Sequence, residues 1–138
     1  MKKIQDYINN QINEIENYNI PEQDMMTEMA NLSQKHTELP VVIWVETGVT
    51  RGTKHNIPRL KFQNSTSQKI STKNLIPISI SEEPEILIKN FDMKNLKISR
   101  KDFQMVKEWI IKHRETLIDY WNQNFDTVEL ISILSDNK

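Results

Sequence analysis

Cysteine is absent from the 138 residues. That removes disulfide staples, thiolate catalysis and cysteine-ligated zinc together. Glycine is nearly as scarce, with only Gly48 and Gly52. Two glycines four positions apart supply neither a GxGxxG cradle nor a P-loop, so the common phosphate-binding loops are excluded. No sign of charge dominates: the formal net charge is −1, which gives no global pull toward nucleic acid or an anionic membrane. Long apolar runs are missing too, none nearing the about 18 residues of a membrane-spanning helix. The opening MKKIQDYINN has two lysines but no apolar core of a signal peptide, and a cytoplasmic protein is the expectation. Alanine occurs once, whereas Asn, Ile and Lys abound, a bias suggesting an AT-rich bacterial or phage genome. No HExxH or DxDxDG spacing and no suggestive Ser/His/Asp set occurs, so no metal, cofactor or catalytic triad is expected.

What the chain does have is a helical pattern from Ser99 to Asn122, carrying two of its three tryptophans. Ser99 is a natural N-cap, with Asp102 three residues on to complete the cap and complement the helix dipole. At helical spacing Phe103, Val106, Trp109, Ile110, Leu117, Tyr120 and Trp121 fall on one face, with Ile111 and Ile118 at its margins. Lys101, Gln104, Lys107, Glu108, Lys112 and Glu115 make the solvated side. His113 lies within the apolar arc. Its residue type would suit a base or ligand, but no second ligand shares its face, and a core histidine bonded to nearby backbone is the expectation.

Toward the N-terminus, Ile4, Ile8, Ile12 and Ile15 predict an amphipathic helix over 2–18, able to dock on the domain or to form a homodimer. Pro21 opens a second short helix at about 22–30, with Met25, Met26 and Met29 on its apolar side. Strands are predicted at Val41–Glu46, within the stretch RGTKHNIPRLKFQ (51–63), at Leu75–Ile80 and at Glu85–Lys89. In the second of these, Leu60 and Phe62 alternate with Arg59 and Lys61, a half-buried strand with a basic outer side. Pro77 marks the third as an edge strand or a bulged one. Asp126 and Glu129 form a capping box for a short tail helix. Short connections between strands favour an antiparallel sheet. The expected fold is α+β, a small sheet of about four antiparallel strands packed by a long C-terminal helix. Two N-terminal helices occupy an acidic segment, 1–38, ahead of a domain at 39–138.

Local charge is more informative than the total. Residues 1–38 carry three lysines against seven acids, a net of −4, whereas residues 50–74 carry Arg51, Lys54, Arg59, Lys61, Lys69 and Lys73 and no acid, a net of +6. These six are the candidate binding residues. Cations without acids suit a phosphate backbone, and His55 within the stretch could move a proton in metal-free RNA cleavage. The alternative is a solubilising strand face, or a patch that meets the chain's own acidic segment. Aromatic interleaving, which would supply a stacking platform, is thin.

The segment KHNIPRLKF and a helix ending HRETLIDYW resemble a family of small bacterial domains of unknown function numbered 4160. The matching residues are His55, Asn56 and Pro58 in the turn, then His113, Arg114, Glu115, Leu117 and Trp121 in the helix, over about residues 40–135. Where that family has further histidines, this chain has Arg59 and Lys61, so a histidine metal cluster is not implied. The resemblance implies a small stand-alone protein of toxin–antitoxin or phage-conflict type, with the HRE…W residues and Trp109 as structural signature. The function expected is binding of a protein or RNA through the basic surface. A metal-independent ribonuclease toxin using His55 is the second reading, and a dimeric structural module the third.

Overall fold

The computed structural model describes residues 29–50, 53–54 and 57–137. The predicted 2–18 helix, the dimer contact built on it, and most of the predicted 22–30 helix lie outside these residues. So do Arg51, Gly52, His55 and Asn56.

The fold is α+β, with a four-stranded antiparallel sheet as expected. Its strands are β1 (Met29–Leu32), β2 (Ile43–Glu46), β5 (Arg59–Gln63) and β6 (Leu75–Ser79), in the spatial order β1-β2-β5-β6. A separate two-stranded hairpin, β3 (Val49–Thr50) with β4 (Thr53–Lys54), leaves the end of β2. The helices are α1 (Gln34–Thr37), α2 (Arg100–Lys112), α3 (Arg114–Trp121) and α4 (Thr127–Asp136), with a 3-10 turn at Met93–Asn95.

Period-two alternation sets the inner sheet face. Leu32, Ile43, Phe62 and Ile76 form one inward row by register, and Val45, Leu60 and Ile78 another. Against them pack Val106, Trp109 and Ile110 of α2, Leu117 and Tyr120 of α3, and Leu130 and Leu134 of α4, all in one core. The rings of Phe62 and Phe103 meet at 5.9 Å, joining sheet to helix.

The membership of the sheet differs from the expectation in two ways. Its fourth strand is β1, so Met29 and Ala30 are extended and not helical, and the domain begins before residue 39. Residues 85–89 do not form a strand and contribute one isolated bridge, Ile78 to Ile86. The reason is chemical. Around that bridge Ser79 N donates to Glu85 O at 3.0 Å and Leu87 N to Pro77 O at 2.9 Å. The return bonds are missing, because Pro77 has no N–H and Glu85 N is taken by Ser79 Oγ at 3.0 Å. Half a ladder does not extend into a strand. Pro77 does sit on the edge strand, β6, as its imino nitrogen predicts.

The long helix is two helices. Ser99 Oγ caps α2 by accepting from Asp102 N at 3.0 Å. Of the expected apolar face, Val106, Trp109, Ile110, Leu117, Tyr120 and Trp121 are buried and Phe103 and Ile118 partly so, whereas Ile111 at its margin is exposed. The helix then breaks at His113, whose φ of −104° and ψ of 17° place it between helical and bridge geometry. Neither Pro nor Gly marks that break. Farther on, the predicted capping box closes reciprocally: Glu129 N donates to Asp126 Oδ1 and Asp126 N to Glu129 Oε1, each at 2.8 Å.

Candidate functional site

Arg59 and Lys61 lie on the outer face of β5, as their alternation with buried Leu60 and Phe62 requires. Both reach one carboxylate on the neighbouring strand. Arg59 Nε is 3.3 Å from Glu46 Oε2, and Lys61 Nζ is 3.7 Å from Glu46 Oε1. The sequence places Glu46 at the end of a strand and gives no sign that it would stand between two cations. One of the two positive charges on this face is therefore neutralised from within the sheet. Trp44 stands beside Lys61 in the register and is half-buried, so an indole does border the cations.

Lys69 and Lys73 occupy a different environment, the loop from Asn64 to Asn74. Gln63 organises it. This side chain is 3% exposed, and its Oε1 accepts from Trp44 Nε1 at 2.9 Å and from Ser71 N at 3.0 Å. Its Nε2 donates to Lys69 O at 2.9 Å. The amide is thus bonded at both ends, as a buried polar group must be. Ser65, Ser67 and Ser71 each accept from the amide two residues on, turning the chain tightly. Asn74 closes the loop in the left-handed region, at φ 57°, which Asn tolerates. Within the loop is an open cavity of about 460 Å³ lined by polar side chains, Lys69, Lys73 and Ile70, with no acid.

The loop is also tied to a distant stretch. Asn64 Nδ2 donates to Asn95 O at 2.9 Å, and Lys97 N donates to Asn64 Oδ1 at 2.6 Å. With both amide atoms engaged, Asn64 is a structural clasp. This clasp draws Lys94 and Lys97 toward the loop of Lys69 and Lys73, and all four lysines are exposed. The sequence keeps these pairs more than twenty positions apart, and the folding of Asn64 across the gap unites them.

Arg51 and His55 lie outside the described residues, and for Lys54 only the backbone, in β4, is described. The hairpin's anchorage is nevertheless clear. Gly48 N donates to Trp121 O at 2.8 Å, satisfying a carbonyl at the C-terminus of α3. A Cβ on Gly48 would lie 2.5 Å from Trp121 Cε2 and Nε1. Glycine is needed here for closeness of approach to the indole. Trp121 thus links the HRE…W helix to the root of the basic hairpin.

The other signature residues divide by position. Leu117 and Trp121 are buried, Glu115 is exposed, and Arg114 makes a surface pair with Glu82 at 3.7 Å. His113 is buried as expected, but its Nε2 has no hydrogen-bond partner, contrary to the expected backbone bond. Burial, then the nearby Lys112 charge, holds its pKa below the ordinary histidine value. Among the described residues no group of three or more His, Cys, Asp or Glu could hold a metal, and no helix is long and apolar enough to cross a membrane.

Compared with protein-family models, curated proteins and solved structures, the chain has no significant match.

Proposed function

We propose that this protein works by binding a polyanion, with RNA the best-fitting class, and that the contact surface is the clasped basic loop. Lys69, Lys73, Lys94 and Lys97 would meet phosphates, with Arg59 and Lys61 as a flanking pair whose charge Glu46 moderates. The observation that carries this reading is the ordered 64–74 loop, whose cavity is lined by Lys69 and Lys73 and by no acid among the described residues, with Asn64 bonded to the backbone of Asn95 and Lys97 beside it. Cations held on an ordered loop meet a backbone with less loss of chain entropy than cations on a tail. Such contacts position a nucleic acid without reading its sequence, so broad specificity is expected. A toxin–antitoxin or phage-conflict setting rests on the resemblance of the HNxP turn and HRE…W helix alone.

Titration of the full chain with single-stranded RNA, read by gel shift at low salt, tests this. Binding should be salt-sensitive and should be lost in Lys69→Glu/Lys73→Glu. If that variant binds like the unaltered protein, the loop is not the surface. The same gels report on the ribonuclease alternative, which needs His55. RNA shortened without metal, and kept whole by His55→Ala, would replace binding with cleavage as the function.

A further inference from the structure

We infer that the cavity in the 64–74 loop takes a phosphomonoester, the terminal phosphate of an RNA strand, in preference to the phosphodiesters along its length. Such a preference rests on the reading of this loop as the polyanion surface, and it gives that surface a point of attachment.

Three serine hydroxyls and two ammonium groups line this one cavity of about 460 Å³, those of Ser65, Ser67, Ser71, Lys69 and Lys73. The bonding of the serines decides what they present. Ser65 Oγ accepts from Ser67 N at 3.0 Å, Ser67 Oγ from Lys69 N at 3.1 Å, and Ser71 Oγ from Lys73 N at 3.0 Å. A hydroxyl oxygen that accepts still has its own hydrogen to donate. Among the described residues none of the three hydroxyls donates to another group. Lys69 and Lys73 have no acidic partner there, unlike Arg59 and Lys61, which share Glu46. The wall thus presents donors and positive charge, with no carboxylate to repel an anion.

A phosphomonoester matches this set better than a diester. It has three terminal oxygens and about −1.5 to −2 charge near neutral pH, whereas a diester within a strand has two free oxygens and a single charge. Bonds to its oxygens are charge-assisted and so stronger than neutral ones. The shape of the site agrees with an end group. The cavity is formed within a single loop, and its volume falls in the range of about 300–1,000 Å³ usual for small-ligand sites. Ile70 lines it too and is 43% exposed, an apolar surface for the sugar or base that carries the phosphate.

The test compares the affinity of the full chain for one short single-stranded RNA made with a 5′-phosphate, with a 3′-phosphate and with neither, at fixed salt. A fourth strand, unphosphorylated and longer by two nucleotides, matches the phosphorylated strands in charge. At least one phosphorylated end should bind about tenfold tighter than this fourth strand, and the end that does so identifies the source of the phosphate. Ser67→Ala and Ser71→Ala remove donors without changing charge. Each should cut the preference about threefold and leave the affinity for the fourth strand as it was, while slow exchange of the Ser71 amide shows that the loop still holds. Phosphorylated strands that bind no better than the charge-matched one would overturn the end preference and leave the polyanion reading standing. A preference that both serine variants keep would overturn this cavity as its source. No binding to any of the four strands would overturn both.

Discussion

Gly48 shows how much a single side chain, or its absence, can decide. Its Cα lies against the Trp121 indole, where an added methyl would lie 2.5 Å from ring atoms. Gly48→Ala should destabilise the fold by about 2 kcal/mol, measured as a lower denaturant midpoint at unchanged slope. His113 gives a second expectation at this scale. Its folded pKa is lowered, so the unfolded chain binds the proton more readily. The stability conferred by neutral His113 is complete above the unfolded value of about 6.5 and is lost as pH falls below it toward the folded pKa. Urea midpoints compared between neutral and mildly acidic buffer should fall, and the fall should be smaller in His113→Gln. A drop of equal size in the variant would assign the pH dependence to other groups.

At the scale of elements, the loop 64–74 depends on Gln63. Replacing it by Leu leaves Trp44 Nε1, Ser71 N and Lys69 O without their partner. The cost should be about 2 kcal/mol, and hydrogen exchange at Ser71 should quicken more than in β2. Protection retained at Ser71 would show that the serine turns hold the loop unaided. The tail helix offers a plainer case. Asp126→Ala opens one half of the capping box and should cost about 1 kcal/mol, with α4 amides exchanging faster. Both capping sites were legible because a cap is a contact between residues three apart. The break at His113 was not, because Ser99–Asn122 carries no Pro or Gly, and only packing sets ψ there.

Across the whole molecule the distribution of charge matters more than its sum. A net charge of −1 coexists with exposed Lys69, Lys73, Lys94 and Lys97 on two segments that Asn64 ties together. If Lys69 and Lys73 each neutralise a phosphate of single-stranded RNA, Lys69→Ala/Lys73→Ala should reduce the slope of log affinity against log salt by about 1.4, at about 0.7 for each contact. An unaltered slope with lower affinity would mean that these lysines shape the loop without touching phosphate. Glu46→Gln gives the complementary expectation. With the shared carboxylate neutral, Arg59 and Lys61 should tighten RNA binding, and an unchanged affinity would place the RNA away from β5.

Sequence alone determined the features that depend on neighbours along the chain. The α+β class, three of the four sheet strands, the edge position forced by Pro77, the buried faces of Val106 to Trp121 and both caps all follow from period, propensity and local bonding. The basic character of residues 50–74 was equally plain. Tertiary structure decided what depends on residues far apart. It recruited Met29–Leu32 as the fourth strand at the edge of β2, while at the opposite edge residues 85–89, facing Pro77, formed a single bridge. It set Glu46 between Arg59 and Lys61, and used Asn64 to tie the 64–74 loop to the backbone of Asn95 and Lys97. It also left Trp109 Nε1 and His113 Nε2, in adjoining rings, without hydrogen-bond partners. None of these has a local signal, since each is a contact that exists only once the chain has folded.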